Sequence, residues 1–374
     1  MRGDVDDCFC SQVERRSRAS TCTPDFSGHA MNETTEKIRQ LLVQGIECQH
    51  AGDLAAAEEL FMQCMNLDDG TDSDATGGGP SSIRLSAHVR YAMVLEERGH
   101  PRRALAVVEA ASKRWPSQAT VWSFLGRLRV AVGQPEGAEQ AYRRSLELEP
   151  RACTWSLLYW VLKHELEGRD DEAVACLHAA LDVDPDYEDA HYKLGCNLSL
   201  SGDIEAAEAH FRRAIELDPE YAAAHAELGF CLMGRQDLTP AGAAAEALPH
   251  LVRSVEIDGN YGWSRLYLGI ALWEVRRLRD ARVQFEAACR IWPDDASALS
   301  LHGDFLSDAF GARGQAEQLL RRAVVLDPDD GDCRYRLGKH LVRMERYQEA
   351  RRELERAHAL GNVYALAVLD DVER

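Results

Sequence analysis

Alanine returns at one phase of a long pattern, at Ala57, Ala104, Ala138, Ala173, Ala207, Ala247, Ala281, Ala316 and Ala350. Four residues after each stands a bulky apolar side chain (Phe61, Val108, Tyr142, Leu177, Phe211, Leu251, Phe285, Leu320, Leu354), and seven after stands a small one such as Cys64, Ala111 or Ser145. These offsets share one face of a helix. Most of the alanines are preceded, twelve or thirteen residues upstream, by another small residue, among them Gly45, Ala92, Gly126, Gly195, Gly269, Gly303 and Gly338. Small groups there let a second, antiparallel helix approach closely. A breaker or turn-former then closes each unit: Pro116, Pro150, Pro185, Pro219, Gly259, Pro293, Pro328 or Asn362. The period is about 34 residues. The pattern predicts an all-α chain of stacked helical hairpins, stabilised by neighbour contacts rather than by one central core.

These residues resemble the tetratricopeptide repeat pattern, which has Trp/Leu-Gly-Tyr in a first helix, Ala-Phe-Ala in a second and a terminal Pro. The best match is Glu188 to Pro219, where Leu194, Gly195, Ala207, Phe211, Ala214 and Pro219 occupy the motif places. The resemblance implies a solenoid of about nine hairpins forming a right-handed superhelix over residues 38–362. It is preceded by a leader, 1–37, and followed by a short capping helix and tail, 363–374. It also implies a non-catalytic adaptor or scaffold that holds a peptide or partner protein against a concave side lined by the first helices.

Charge narrows the partners. The formal net charge is -19, from 62 acidic and 43 basic side chains, which repels phosphate backbones, so nucleic acid is not expected. No apolar run is long enough to span a bilayer. Eleven cysteines at irregular spacing, including Cys153, Cys176, Cys196, Cys231, Cys289 and Cys333, read as reduced, buried small hydrophobes of a cytoplasmic protein. The chain is expected to be a monomer or weak oligomer without cofactor or metal. Cys8, Cys10, Cys22 and His29 nominally offer zinc ligands, but their segment lacks paired Cys-x-x-Cys spacing. The leader has arginines without a following apolar region, unlike a secretory signal.

Three departures interrupt the pattern. The acidic run Asp68–Asp74 and the glycines after it form an insertion, 70–82, that lacks the Gly-x5-Glu arrangement of a calcium loop. A second insertion, 234–246, reads as a lengthened turn with Leu238–Gly242 as a surface protrusion. In the fourth repeat Tyr159, Trp160 and Val161 stand where a small residue belongs, predicting separated helices, a register shift or a bend, with Trp155 and Trp160 candidates for a local pocket.

Carried over residue by residue, the resemblance places on the concave side, among others, Asp189, Tyr192, Ala226, Phe230, Trp263, Leu266, Ile270, Trp273, Ser300, Asp304, Asp308, Tyr335, Lys339 and Arg343. Of these, Tyr192, Phe230, Trp263, Ile270, Trp273, Asp304, Asp308, Tyr335, Lys339 and Arg343 are the candidate partner-binding residues, an aromatic stretch followed by acidic and basic ones. Lys339 and Arg343 lie one turn apart. The carboxylate clamp of some relatives is not matched, because Asn197 is off the groove places. Nor is an asparagine ladder, whose place is taken by Lys193, Glu227, Tyr267, Leu301 and Arg336. Catalytic motifs are missing, and His164, His178, His191, His210 and His225 define no nucleophile and base. Two other readings remain open: an enzyme acting on a peptide or small metabolite at the aromatic inner face, and a self-assembling structural module.

Overall fold

The computed structural model describes residues 33–67, 80–235 and 237–373, and all regular structure among them is helical. The leader with its nominal zinc ligands and the acidic run after Leu67 lie outside the described residues. The chain divides into two compact units, residues 1–183 and 184–374. The first carries α1 (Glu33–His50), α2 (Leu54–Asn66), α3 (Pro80–Glu97), α4 (Pro101–Arg114), α5 (Ala119–Ala131), α6 (Pro135–Leu148), α7 (Ala152–His164) and α8 (Asp170–Val183). The second carries α9 (Glu188–Ser201), α10 (Ile204–Leu217), α11 (Ala222–Met233), α12 (Pro240–Ile257), α13 (Gly262–Glu274) and α14 (Leu278–Ile291). It continues with α15 (Ala296–Ala309), α16 (Arg313–Leu326), α17 (Gly331–Arg343), α18 (Tyr347–Ala359) and α19 (Ala365–Glu373).

Within each unit consecutive helices pack as hairpins, α1 with α2, α3 with α4 and so on to α17 with α18. The recurrent glycine is the hole and the bulky residue of the second helix is the knob. A Cβ on Gly45 would come within 2.5 Å of Phe61, on Gly126 within 2.6 Å of Tyr142, and on Gly195 within 2.7 Å of Phe211. All of the phase alanines are buried, because a larger group there would push the two helices apart. The turn inside the hairpin needs a left-handed residue five positions before the alanine, and Gly52, Gly99, Gly133, Gly168, Gly202 and Gly311 supply it. Arg276 and Glu345 hold the same conformation at φ 63° and 60° without glycine's freedom.

The fourth repeat is more regular than its sequence suggests. α7 is unbroken, Val161 is fully buried at the small-residue place, and Leu177 four after the alanine is buried too. The register is therefore not shifted there; the extra residue is absorbed at the start of α7, which begins two residues before Thr154. The insertion 234–246 is likewise only half turn. Helix α12 starts at Pro240, with the Thr239 hydroxyl accepting from the Gly242 N–H at 3.1 Å, and the alanine-rich stretch continues the helix despite Gly242.

A recurring side-chain bond ties five of the hairpins to the preceding terminal breaker. The fourth residue of a first helix points a nitrogen at the carbonyl six residues back: Trp122 to Pro116 (2.9 Å), His191 to Pro185 (3.1 Å), His225 to Pro219 (3.3 Å), Arg265 to Gly259 (2.7 Å) and Arg334 to Pro328 (2.8 Å). A carbonyl can only accept, so Nε2 of His191 and His225 carries the proton. In both, Nδ1 faces the Nδ1 of a histidine on the second helix, His210 at 3.0 Å and His250 at 3.2 Å.

Candidate functional site

In the second unit each first helix also touches the next first helix, α9 to α11, α11 to α13, α13 to α15, α15 to α17 and α17 to α19. Consecutive second helices of this unit do not approach as closely, and α16 meets α18 through long side chains, as Arg321 and Glu349 do at 3.1 Å. The first helices therefore lie on the tighter, inner side of this unit.

At the α9–α13 end the inner side is aromatic. Tyr192 on α9 lies 4.9 Å from Tyr221 and 6.0 Å from Phe211, and its half-buried ring is a packing element as much as a surface. Burial holds its hydroxyl well above the usual tyrosine range. Phe230 on α11 is 43% exposed and stacks on Tyr267 of α13 at 4.8 Å and 25°. Tyr267 stacks in turn on Trp263 at 5.8 Å, and Trp263 meets Trp292 edge-on at 5.3 Å. Offset and edge-on pairs of this kind hold one another rigid. Ile270 is half-buried against the same core. Trp273 is set deeper, edge-on to Phe305 at 5.5 Å, with its indole N–H donating to Asp308 at 3.2 Å.

Toward α15 and α17 the surface becomes an ion network. Lys339 donates to Asp304 at 2.7 Å; Arg343 reaches Asp308 at 2.8 Å, Ser307 at 3.3 Å and Asp304 at 3.5 Å. Ser307 also bonds His340 Nδ1 at 2.8 Å. Asp304 is buried beneath these cations. Lys339 leans over Tyr335, 5.7 Å from the ring centre, and Tyr335 is 6.3 Å from Tyr364. The acidic and basic residues read separately along the sequence thus satisfy one another across two helices.

The structure corrects this expectation at Asp189, Ala226, Leu266 and Ser300, which are buried between helices and offer no surface. It also adds Tyr267, Tyr221 and Glu227. Glu227 lies one turn before Phe230 on the face of α11 between Tyr192 and Tyr267, and burial alone pushes its carboxyl up to about 7. An acid three residues before an aromatic is the signal the sequence carries for it. The fourth-repeat candidates are half-buried, with Trp160 5.5 Å from the ring of His164.

The described cysteines are free thiols, and burial pushes Cys64 and Cys333 up to about 12 and Cys176, Cys231 and Cys289 up to about 11, which makes these five poor nucleophiles. Cys153 departs from the expected pattern: it is exposed on α7 because the phase of that helix turns it outward. A shallow apolar depression of about 400 Å³, lined by Val252, Val255, Leu268, Leu272 and Val283, lies on the second-helix side rather than the inner one. No described helix is long and apolar enough to cross a membrane.

Comparison with known proteins agrees with this architecture. Family models described as tetratricopeptide repeat match residues 92–152, 266–331, 188–221 and 309–362, and one described as TPR repeat matches 166–196. The chain is 30% identical over 186 residues to the cellulose synthase 2 operon protein C of Komagataeibacter xylinus, a match spanning 49% of this chain and 14% of that protein. Among solved structures, the APC/C hetero-tetramer Cut9-Hcn1 superposes with a TM-score of 0.57 at 12% identity, over 90% of this chain and 76% of that one. A tetratricopeptide repeat protein from Parabacteroides merdae superposes at 0.52 and 14% identity, over 68% and 99%. At such identities the likeness is one of fold. Repeat spacing, glycine-to-aromatic packing and family matches over more than half its length agree: the chain belongs to the tetratricopeptide repeat family.

Proposed function

We propose that the chain is a non-catalytic adaptor that holds an extended segment of another protein along the inner side of residues 184–374. The observation that carries this reading is Phe230, an aromatic side chain left 43% exposed on a first helix and held rigid by its stack on Tyr267. Rigid exposed aromatics bury large area on binding at little entropic cost, and they dominate interface energetics. The fold, which is typically non-catalytic and generally mediates protein association, supports the same reading, as do the buried, weakly acidic thiols. The ion network of Asp304, Asp308, Lys339 and Arg343 supplies shape and a polar rim rather than free charge, because its members already pair.

Crosslinking mass spectrometry on the natively captured complex tests this. Crosslinks are expected on α9, α11 and α13, and Phe230→Ala is expected to weaken partner affinity about tenfold or more while leaving the helical content unchanged. Crosslinks confined to the second helices, with affinity unchanged in that variant, would overturn the assignment.

A further inference from the structure

We infer that the inner surface around Glu227 recognises an arginine side chain of the bound segment, with the guanidinium lying against the exposed Phe230 ring and paired to the Glu227 carboxylate. This rests on the peptide-holding reading above and names the chemistry of its central contact.

Glu227 is an exception among the inner-face charges. Asp304 has Lys339 and Arg343, Asp308 has Arg343, Lys193 has Asp189 at 2.8 Å, and Arg336 has Ser300 at 3.2 Å. Glu227 makes no hydrogen bond or ion pair among the described residues, and the one influence on its carboxyl is burial. Around it lie Tyr192, Cys196, Cys231 and Tyr267, all of which feel its charge, and none of which is a cation. An unpaired carboxylate in such surroundings costs free energy that an arriving cation recovers.

The surrounding geometry selects among cations. Tyr267 stacks on Phe230 at 4.8 Å and on Trp263 at 5.8 Å, so these rings hold one another in place, while Phe230, 43% exposed, keeps open ring surface one turn from Glu227. A guanidinium is flat, weakly hydrated and able to stack on a ring while its fork meets a carboxylate in two parallel bonds. An ammonium group, compact and strongly hydrated, uses only part of that arrangement. The net charge of -19 adds long-range attraction for a basic segment.

The test is selection of a random-peptide phage library on the full chain, followed by binding measurements with the most enriched synthetic peptide. Arginine is expected at one fixed position of the enriched sequences. Replacing that arginine by its neutral isostere citrulline should weaken binding about tenfold or more, with lysine falling between the two. Glu227→Gln should cost the arginine peptide the same amount and leave the citrulline peptide unaffected. Enriched peptides without arginine, or equal binding of the arginine and citrulline peptides to the native chain, would overturn the inference. If such peptides still depend on Phe230, the inner-face reading survives and only the arginine assignment falls. If no enriched peptide depends on Phe230, both fall. Since the citrulline comparison uses the native protein, it decides the matter even should Glu227→Gln fold poorly.

Discussion

At the residue scale, the two sides of each hairpin are matched in size. Adding a methyl at Gly195 gains up to about 1 kcal/mol of helix propensity. It also drives a Cβ to 2.7 Å from the buried ring of Phe211, and overpacking of that kind costs about 1–3 kcal/mol. The clash wins. Gly195→Ala is expected to lower the denaturation midpoint, and Phe211→Leu in the same chain to restore part of it; a stabilised single variant would contradict the packing. Glu227 offers a second check. Its carboxyl is raised to about 7 in the folded chain, so the protonated form is favoured by folding, and stability is lost as pH rises from the unfolded value near 4.5 through 7. Glu227→Gln should therefore be near neutral at pH 4 and stabilising at pH 8, by up to about 3 kcal/mol, in paired denaturant titrations. The matched sizes were legible in the sequence, because glycine and aromatic recur at fixed offsets. The state of Glu227 was not, since it depends on side chains from three helices that the sequence separates by dozens of residues.

At the element scale, the helices and their breakers follow from periodicity, whereas the left-handed turn residue and the donor to the terminal carbonyl emerge only from the structure, although both have fixed places. The turn carries a direct prediction. Arg276→Gly and Glu345→Gly remove a strained φ of 63° and 60° at exposed positions where other hairpins use glycine. Each is expected to raise stability by about 1 kcal/mol, read as a higher thermal midpoint, and Gly202→Ala to do the reverse. The second helices carry a network that occurs twice: Glu139 with Arg143 and Arg169, joined by Glu172, and Glu317 with Arg321 and Arg346, joined by Glu349. Hydrogen bonds from Arg169 hold Glu139 below the usual carboxylate range, and those from Arg321 and Arg346 outweigh burial to do the same for Glu317. Depressed carboxylates stabilise above their unfolded value and lose that contribution as pH falls through the folded one. Arg169→Gln should accordingly flatten the loss of stability between pH 5 and pH 3, while leaving the slope at neutral pH alone.

At the scale of the whole molecule, helices touch their chain neighbours and little else, so native contacts are local. Unfolding is expected to depart from a single all-or-none transition, with hydrogen exchange fastest in α1 and α19 and slowest in interior hairpins such as α11–α12. Uniform protection along both units would contradict this. The candidate site was legible only in outline, because the motif places name which residues share a side, whereas which of them are spent on each other, as Asp304 and Lys339 are, is decided between repeats. The knob-and-hole pairing has one further consequence. Since each recurrent glycine answers to one bulky side chain of its own hairpin, a ring at Gly126 or Gly195 and a leucine at Gly229 or Gly338, size is matched within a hairpin and not between hairpins. A substitution is then corrected only by its own partner, and sequence drift should accumulate in coupled pairs such as Gly126 with Tyr142, each free to wander while its neighbours along the chain stay as they are.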